Sequence, residues 1–256
     1  MSAASPEAAQ GRIAEQFKLL KAQAQKALVT FIMAGDPGPE FTVPAMHSLV
    51  AGGANLLELG IPFSDPEAEG PAIQAANERA LAQGMTLTKV MEMVVEFRQS
   101  DATTPVVLMG YLNSVLAMPD FPARARTAGI DGLIMVNLPL EEAADLQRGL
   151  SAEGLDLVSL IAPTTADRRA QEIASNSSGF LYYVSLKGTT GSGALAVDEV
   201  AERMKFLRRR FLRATFASVH RDHEVRAEAE YGEDLPPFVL RRQARQLRHI
   251  GAQLHQ

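Results

Sequence analysis

The sequence predicts an α/β protein with a parallel sheet, most specifically a (β/α)8 TIM barrel. Its 256 residues are about the size of one such barrel. Short apolar, β-branched segments alternate with amphipathic segments of helical period, and no series of hairpin turns interrupts them. The units recur roughly every 25 residues, which suits a barrel, whereas an open doubly wound sheet is the alternative fold.

Six segments of mostly apolar residues predict strands that are buried on both faces of a parallel sheet. They span Ala27–Ala34, Asn55–Ile61, Pro105–Tyr111, Asp131–Val136, Leu155–Ala162 and Phe180–Leu186. Ala214–Val219 and Pro236–Leu240 are weaker candidates for strands seven and eight. Neither ends in the glycine-rich turn that comes after earlier strands, so the sequence leaves open whether the seventh and eighth β/α units are complete, incomplete or aberrant.

Amphipathic segments between the predicted strands have the spacing of helices that pack on a sheet. A leading helix near Ile13–Lys26 repeats Ile13, Phe17 and Leu20 at intervals of four and three. The other predicted helices span Phe41–Ala51, Ile73–Ala82, Leu87–Arg98, Phe121–Ala128, Leu140–Ala152, Asp167–Ser175 and Ala196–Phe211.

Composition excludes several classes of protein. The chain has no cysteine, so disulfides, iron–sulfur clusters, thiolate zinc sites and cysteine nucleophiles are excluded. No apolar segment approaches the ~20 residues of a membrane span. The segment Met1–Lys26 contains acidic residues and no apolar core, so we expect no secretory signal and a cytoplasmic protein.

The charge distribution divides the chain into two parts. Residues 201–256 carry 12 Lys and Arg against 7 Asp and Glu, a net charge of +5, which leaves −10 for residues 1–200. We therefore predict a barrel domain over residues 1–211 and an atypical basic segment over residues 212–256. The arginines lack interleaved aromatic residues, so no nucleic-acid partner is expected. His220 and His223 have no further ligands nearby, so no metal site is expected there.

Two carboxylates in and after the second strand are candidates for acid–base chemistry. Glu58 lies in an apolar strand, where burial would raise its pKa. A structural partnership with a buried basic residue is the alternative, but the neighbouring predicted strands contain no Lys or Arg. Glu69 lies further on, in a long loop that contains Pro62 and Pro66. One buried and one loop carboxylate is a common means of dividing acid and base roles.

A loop with three glycines comes after the sixth strand, with the sequence Lys187-Gly188-Thr189-Thr190-Gly191-Ser192-Gly193. Closely spaced glycines allow backbone N–H groups to point at an anion. The pattern is not a P-loop, and a flexible lid is an equal interpretation. Within the strand, Tyr182 and Tyr183 are adjacent, so one points into the barrel and the other out of it.

These residues resemble the alpha subunit of tryptophan synthase over about residues 12–211. The most specific match is Glu58-Leu59-Gly60-Ile61-Pro62-Phe63-Ser64-Asp65-Pro66, with Gly70-Pro71 and Ile73-Gln74 after it. Supporting motifs lie at the ends of the other strands: Ala34-Gly35-Asp36-Pro37, Gly110-Tyr111-Leu112-Asn113, Leu138-Pro139-Leu140-Glu141-Glu142, Ala162-Pro163-Thr164-Thr165, Tyr182-Tyr183-Val184-Ser185 and Gly188-Thr189-Thr190-Gly191.

The resemblance implies a TIM barrel that cleaves indole-3-glycerol phosphate to indole and glyceraldehyde 3-phosphate, a retro-aldol reaction without metal or organic cofactor. It implies that Glu58 protonates indole C3 and that Glu69 stabilises the charge that develops at the indole N–H. The other implied substrate contacts are Phe31, Tyr111, Asn113, Tyr182, Thr190 and Gly191, with the loop at Gly188–Gly193 closing over the substrate. The implied partner is a pyridoxal-phosphate β subunit in an α2β2 heterotetramer.

The chain departs from the family pattern at three places. Glu69 stands where most members have Asp, and Asn137 stands where an Asp usually precedes the Leu-Pro pair. After Phe211 nothing matches the Gly-Phe-Gly and Gly-Ser-Ala turns whose amides hold the substrate phosphate in the family. Two interpretations are open: an active lyase, or an impaired or inactive homologue that only binds a β subunit or self-associates.

Overall fold

The computed structural model describes residues 11–184 and 202–207, and the backbone of residues 215–218 and 239–241. Eight parallel strands form a closed barrel in the order β1 to β8. The strands are β1 Leu28–Met33, β2 Leu56–Gly60, β3 Val106–Gly110, β4 Gly132–Met135, β5 Asp156–Ile161, β6 Leu181–Val184, β7 Thr215–Ser218 and β8 Val239–Arg241. The predicted TIM barrel is confirmed, and the alternative of an open doubly wound sheet is wrong.

The last two strands close the barrel. Strand β7 pairs with β6 over four residues, from Leu181 opposite Thr215 to Val184 opposite Ser218. Strand β8 pairs with β7 and, through Leu240 and Arg241, with β1. The two closing strands that the sequence left open are therefore present at the level of the backbone. The segments after these two strands lie outside the described residues, so the completeness of the seventh and eighth units stays a prediction.

Helices cover the outside of the described barrel. They are α1 Arg12–Ala22, α2 Pro39–Ala51, α3 Pro71–Ala82, α4 Leu87–Arg98, α5 Leu112–Leu116, α6 Phe121–Ala128, α7 Ala144–Ala152 and α8 Asp167–Asn176, with residues 202–207 also helical. No described helix has both the length and the apolar character that a membrane crossing requires.

Two helical segments differ from the prediction. Helix α5, which has five residues and lies directly after β3, was not expected from the sequence pattern. The expected single helix over Leu140–Ala152 is divided into a 3-10 turn, Leu140–Glu142, and α7. Both guanidinium nitrogens of Arg169 on α8 donate to the Glu141 carboxylate, at 2.6 and 2.7 Å. This pair ties the short turn to α8, and α7 is joined to the end of α8 by a hydrogen bond from Gln147 to the Asn176 carbonyl.

Alternation along the strands separates two apolar layers. Side chains that point into the barrel form one cluster, which includes Val29, Leu56, Val107 and Tyr182. The intervening residues pack against the helices: Tyr183, for example, joins Met204 in the outer layer under α8. Of the two adjacent tyrosines, Tyr182 is thus the one that points into the barrel.

An ion triad around the buried Asp131 carboxylate holds the amino-terminal side of the barrel. The Asp131 carboxylate precedes β4 and accepts from Arg12 of α1 at 2.9 Å and from Arg98 of α4 at 2.8 Å. It also accepts from the Val106 amide at the start of β3. Arg98 donates further to the carbonyls of Gly129, Asp101 and Thr104. One carboxylate therefore joins α1, α4 and two neighbouring strands.

Replacing Asp131 with alanine should lower the free energy of unfolding by about 3–5 kcal/mol, because two partly buried guanidinium groups lose the buried carboxylate that they share. Urea denaturation measures the change. Asp145→Ala is the matched control, since Asp145 pairs with Arg148 across three residues of an exposed helix surface and should contribute little. Equal losses in the two variants would contradict a structural role for the triad.

Candidate active site

Glu58 lies inside the barrel, in the middle of β2. It has no solvent exposure. Its Cα partner on β1 is Phe31, and its Cα partner on β3 is Val107. Because parallel strands in register point paired side chains to the same face, these three residues share one level of the barrel interior. The predicted carboxylate and the predicted aromatic residue are thus brought together by the register of β1 and β2.

Gly60 makes room for the Phe31 ring above this level. A Cβ atom built on Gly60 would lie 2.8 Å from Phe31 Cζ and 3.0 Å from both Sδ and Cε of Met33. No real Cβ approaches other atoms so closely, so a side chain here would displace the ring. The glycine in the Glu-Leu-Gly sequence is therefore needed for the close approach of Phe31 to the end of β2.

The barrel interior is less completely buried towards the carboxyl ends of the strands. Phe31, Val136, Leu160 and Val184 pack on the interior cluster but keep part of their surface exposed, unlike the buried Val29, Leu56 and Val158 deeper in the barrel. Tyr182, two residues before Val184 on β6, is 1% exposed. The rim of the barrel at the carboxyl ends of the strands is consequently apolar and partly exposed. TIM-barrel enzymes hold their substrates at this end of the strands.

Side chains from α3 hold the loop that carries Glu69. The Asn77 amide oxygen accepts from the Phe63 backbone amide at 2.8 Å, and its nitrogen donates to the Ile73 carbonyl at 2.9 Å. Gln74 donates to the Glu69 carbonyl at 2.9 Å. Asn77 is buried, so both of its hydrogen bonds are sheltered from water. The loop is anchored where it leaves β2 and again at Glu69, whose side chain is partly buried.

Tyr111, directly after β3, holds the middle of the same loop. Its hydroxyl accepts from the Ala68 amide at 3.0 Å, and its ring stacks on Phe63 with centroids 4.8 Å apart and 18° between the planes. Burial raises the pKa of this phenol, and the negative charge of Glu69 adds to that rise, although the Ala68 hydrogen bond opposes it. Tyr111 thus holds the backbone of the residue next to Glu69, and the charge of Glu69 affects the pKa of Tyr111.

Sequence reasoning missed Phe63 and Asn77. The only available signal for Asn77 was a polar residue four positions after Ile73, on the buried face of an amphipathic helix. Phe63 lay within the matched motif, but nothing in its sequence context indicates the Tyr111 stack, since the two residues are 48 positions apart.

The remaining predicted residues lie apart from the interior cluster or outside the described residues. Asn113 is exposed on α5. Asn137, after β4, accepts from the Leu112 amide at 2.8 Å and thereby joins the ends of β3 and β4. An amide oxygen can accept this bond as a carboxylate would, so the substitution keeps that contact. Thr190 and Gly191, with the rest of the glycine loop, lie outside the described residues.

The turn after β1 is held by side chains from α2 and α3. Gly35 has a φ of +84°, which favours glycine, and its amide donates to the Thr42 hydroxyl at 2.9 Å. The next residue, Asp36, accepts two hydrogen bonds from Arg79 of α3, at 2.6 and 3.0 Å. Helix α3 therefore braces both the turn after β1 and the loop after β2. No group of three or more metal-binding side chains occurs in the described part of the chain.

Comparison with known proteins gives a consistent family. Residues 17–214 match the family model for the tryptophan synthase alpha chain. The tryptophan synthase alpha chain of Azoarcus sp. (strain BH72) is 55% identical over 199 residues, covering 77% of this chain and 73% of that protein. The alpha chain of Chromobacterium violaceum is also 55% identical, covering 77% of this chain and 75% of its own length.

Solved structures show the same likeness. Tryptophan synthase subunit alpha from Legionella pneumophila str. Paris superposes with a TM-score of 0.78 at 38% identity, covering 91% of this chain and 87% of that chain. A chain from the tryptophan synthase α2β2 complex of Pyrococcus furiosus superposes with a TM-score of 0.67 at 33% identity, covering 75% and 77%. The sequence match ends just before β7, at residue 214, whereas the first superposition covers more of the chain.

Asn77→Ala should destabilise the protein by about 1–3 kcal/mol, because the Phe63 amide loses its buried acceptor. Hydrogen exchange at the Phe63 amide should also accelerate, which a general loss of packing would not direct to this one position. Glu78→Ala, an exposed neighbour on the same helix, is the control and should leave both measurements unchanged. Unaltered exchange at Phe63 in Asn77→Ala would contradict the tether.

The phenolate absorbance of Tyr111 should develop above pH ~10, because its pKa lies above the ordinary value. The pKa of Tyr111 in the folded chain exceeds its pKa in the unfolded chain. The contribution of the neutral phenol to the stability of the fold is therefore complete below pH ~10 and is lost as pH rises through the pKa of the folded chain. The difference in titration between the wild type and Tyr111→Phe isolates this residue. A midpoint at or below pH ~10 in that difference would show that the phenol is solvated.

Proposed function

Because the chain belongs to the tryptophan synthase alpha chain family, we propose that it is a lyase that cleaves indole-3-glycerol phosphate to indole and glyceraldehyde 3-phosphate. The observation that carries the proposal is the position of Glu58: a fully buried carboxyl group at the level of Phe31, below the apolar opening of the barrel. An indole ring entering through that opening would meet the aromatic side chain and the carboxyl group together.

Glu58 has the acid–base role in this proposal. The carboxyl group delivers a proton to indole C3, which makes the protonated ring a leaving group. The carboxylate left on Glu58 then accepts the proton of the adjacent glycerol hydroxyl while the bond between C3 and the glycerol carbon breaks, and the bonding electrons return to the ring. The hydroxyl carbon becomes the aldehyde of glyceraldehyde 3-phosphate. Glu58 thus relays the proton during this step. Its position in the barrel interior keeps bulk water from taking the proton instead.

Glu69 has an electrostatic role. Protonation at C3 places positive charge on the ring nitrogen, and a carboxylate beside the N–H stabilises that charge. The loop geometry supports this role, since Gln74 and Tyr111 hold the backbone at and next to Glu69. Glu69 is one methylene longer than the Asp found in most members, so its carboxylate reaches further from the same anchored backbone.

The other substrate contacts are assigned by position and by resemblance. Phe31 would pack against the indole ring, and Tyr182 would line the pocket beside the glycerol chain. Tyr111 and Asn113 would shape the floor on the β3 side. We assign the phosphate to Thr190 and Gly191. These roles stay predictions, and Thr190 and Gly191 have no described geometry to support them.

The proposed macromolecular partner is a tryptophan synthase β subunit that receives indole, in an α2β2 heterotetramer like the Pyrococcus furiosus complex. The ends of β3 and β4 would face it, where Asn137 is joined to the Leu112 amide. The cytoplasmic location expected from the sequence also stays a prediction.

Glu58→Gln should reduce indole release at least about 100-fold, because the amide keeps the volume of the side chain but cannot donate an acid proton. Steady-state indole formation from indole-3-glycerol phosphate, with and without a β subunit, measures the rate. Glu92→Gln, an exposed carboxylate on α4, is the control and should keep the wild-type rate. A Glu58→Gln rate close to that of the wild type would remove Glu58 from the mechanism.

The wild-type measurement also separates the two interpretations of the C-terminal departure. Indole release supports the lyase. A chain that binds the β subunit and releases no indole, even with the β subunit in excess, is the inactive homologue instead.

A further inference from the structure

A cavity lies at the amino ends of the strands, away from the interior position of Glu58. Its volume is about 610 Å³, and its walls come from the start of α1, the ends of α4 and α6, and the turns that precede β3, β4 and β5. All of these segments lie at the amino ends of the strands. The lining residues are Gly11, Arg12, Val95, Arg98, Ala102, Arg126, Thr127, Ala128, Gly129 and Gly154.

The lining of this amino-side pocket is basic. Three of its ten residues are arginines and none is acidic. The nearest structural carboxylate, Asp131, is 4% exposed and already shared between Arg12 and Arg98. The carboxylate of Asp101 accepts from Thr103 and Thr104. Three arginines therefore line one cavity, and the carboxylates of Asp131 and Asp101 are engaged in other bonds.

The three arginines differ in how far their hydrogen-bond donors are already used. Arg98 donates four hydrogen bonds to protein oxygens and is anchored. Arg12 donates through Nε to the Ala102 carbonyl at 2.7 Å and through Nη1 to Asp131, and its Nη2 has no acceptor among the described residues. Arg126 is exposed on α6, and its guanidinium group has no hydrogen bond or ion pair within the described part of the chain.

The positive charges of Arg12 and Arg98 repel each other within this cluster. Burial lowers the pKa of Arg98 first of all, and the neighbouring positive charge of Arg12 lowers it further, against the attraction of Asp131. Gly129, at a φ of +85°, allows the cluster to pack: a Cβ atom there would lie 2.9 Å from Arg98 Cγ. An anion in the cavity would meet the unused donors of Arg12 and Arg126 in the fork geometry that suits oxyanions.

We propose that the amino-side pocket binds a small, multiply charged oxyanion, a phosphate or a polycarboxylate, between Arg12 and Arg126 and over Arg98. The exposed side chain of Val95, together with Ala128, gives the pocket an apolar wall, so an anion with a short carbon body would fit better than a bare ion. This site is separate from the carboxyl-end opening and does not depend on the lyase activity.

Protection of Arg126 from phenylglyoxal tests the proposal, with inorganic phosphate and citrate as the two probes and chloride at equal ionic strength as the reference. Peptide mass spectrometry measures the rate at each arginine. At a probe concentration about ten times the dissociation constant, modification of Arg126 should slow about tenfold. Arg124 lies on the same helix, is exposed and does not line the pocket, so its rate should not change.

Two variants show whether the arginines act as one site. Arg126→Gln should abolish the protection of Arg12 by the same probes, and Arg124→Gln should preserve it. Both replaced side chains are exposed, so both variants should fold. Protection by phosphate alone, by citrate alone or by both supports the site and identifies its anion. Protection equal to that in chloride, or equal at Arg124 and Arg126, would overturn it.

Discussion

Burial of a carboxyl group inside an apolar barrel is the constraint around which the carboxyl-end site is organised. Transfer of such a group out of water is costly unless the protein supplies compensating interactions, and a purely structural interior would have an apolar residue at position 58. The register of β1, β2 and β3 places Phe31 and Val107 at the same level as Glu58. The closed sheet therefore fixes the acid and an aromatic surface beside each other before any substrate arrives.

The position of the second carboxylate, Glu69, is also fixed by the structure around it. Loops at the carboxyl ends of barrel strands carry function, but a loop alone leaves a charge poorly positioned. Helix α3 supplies Asn77 and Gln74 to the loop, and the residue after β3 supplies the Tyr111 hydroxyl. Three side chains from two different β/α units thus hold backbone atoms of one loop. Movement of that loop relative to β2 would require the loss of three hydrogen bonds, two of them partly buried.

Local pattern predicted most of the described fold and only part of the site. Helices α4 and α6 begin and end as predicted because their period is strong, whereas the five residues of α5 are too few to show one. Glu58 and Glu69 are conspicuous as acidic residues within and after an apolar strand. The stack of Phe63 on Tyr111 and the tether from Asn77 were missed, because they depend on how β2, β3 and α3 are arranged in space.

Charge is distributed over the described barrel in a way that fits a polar substrate lying across its carboxyl end. The loop after β2 carries Asp65, Glu67 and Glu69, all of which act on the Tyr111 phenol. Positive charge develops at the indole end of the proposed substrate, so this acidic loop belongs beside the ring. In the proposed binding mode the phosphate end then points away from β2. Arg12, Arg98 and Arg126 line a cavity at the amino ends of the strands instead, where they can attract an anion without competing for the substrate phosphate.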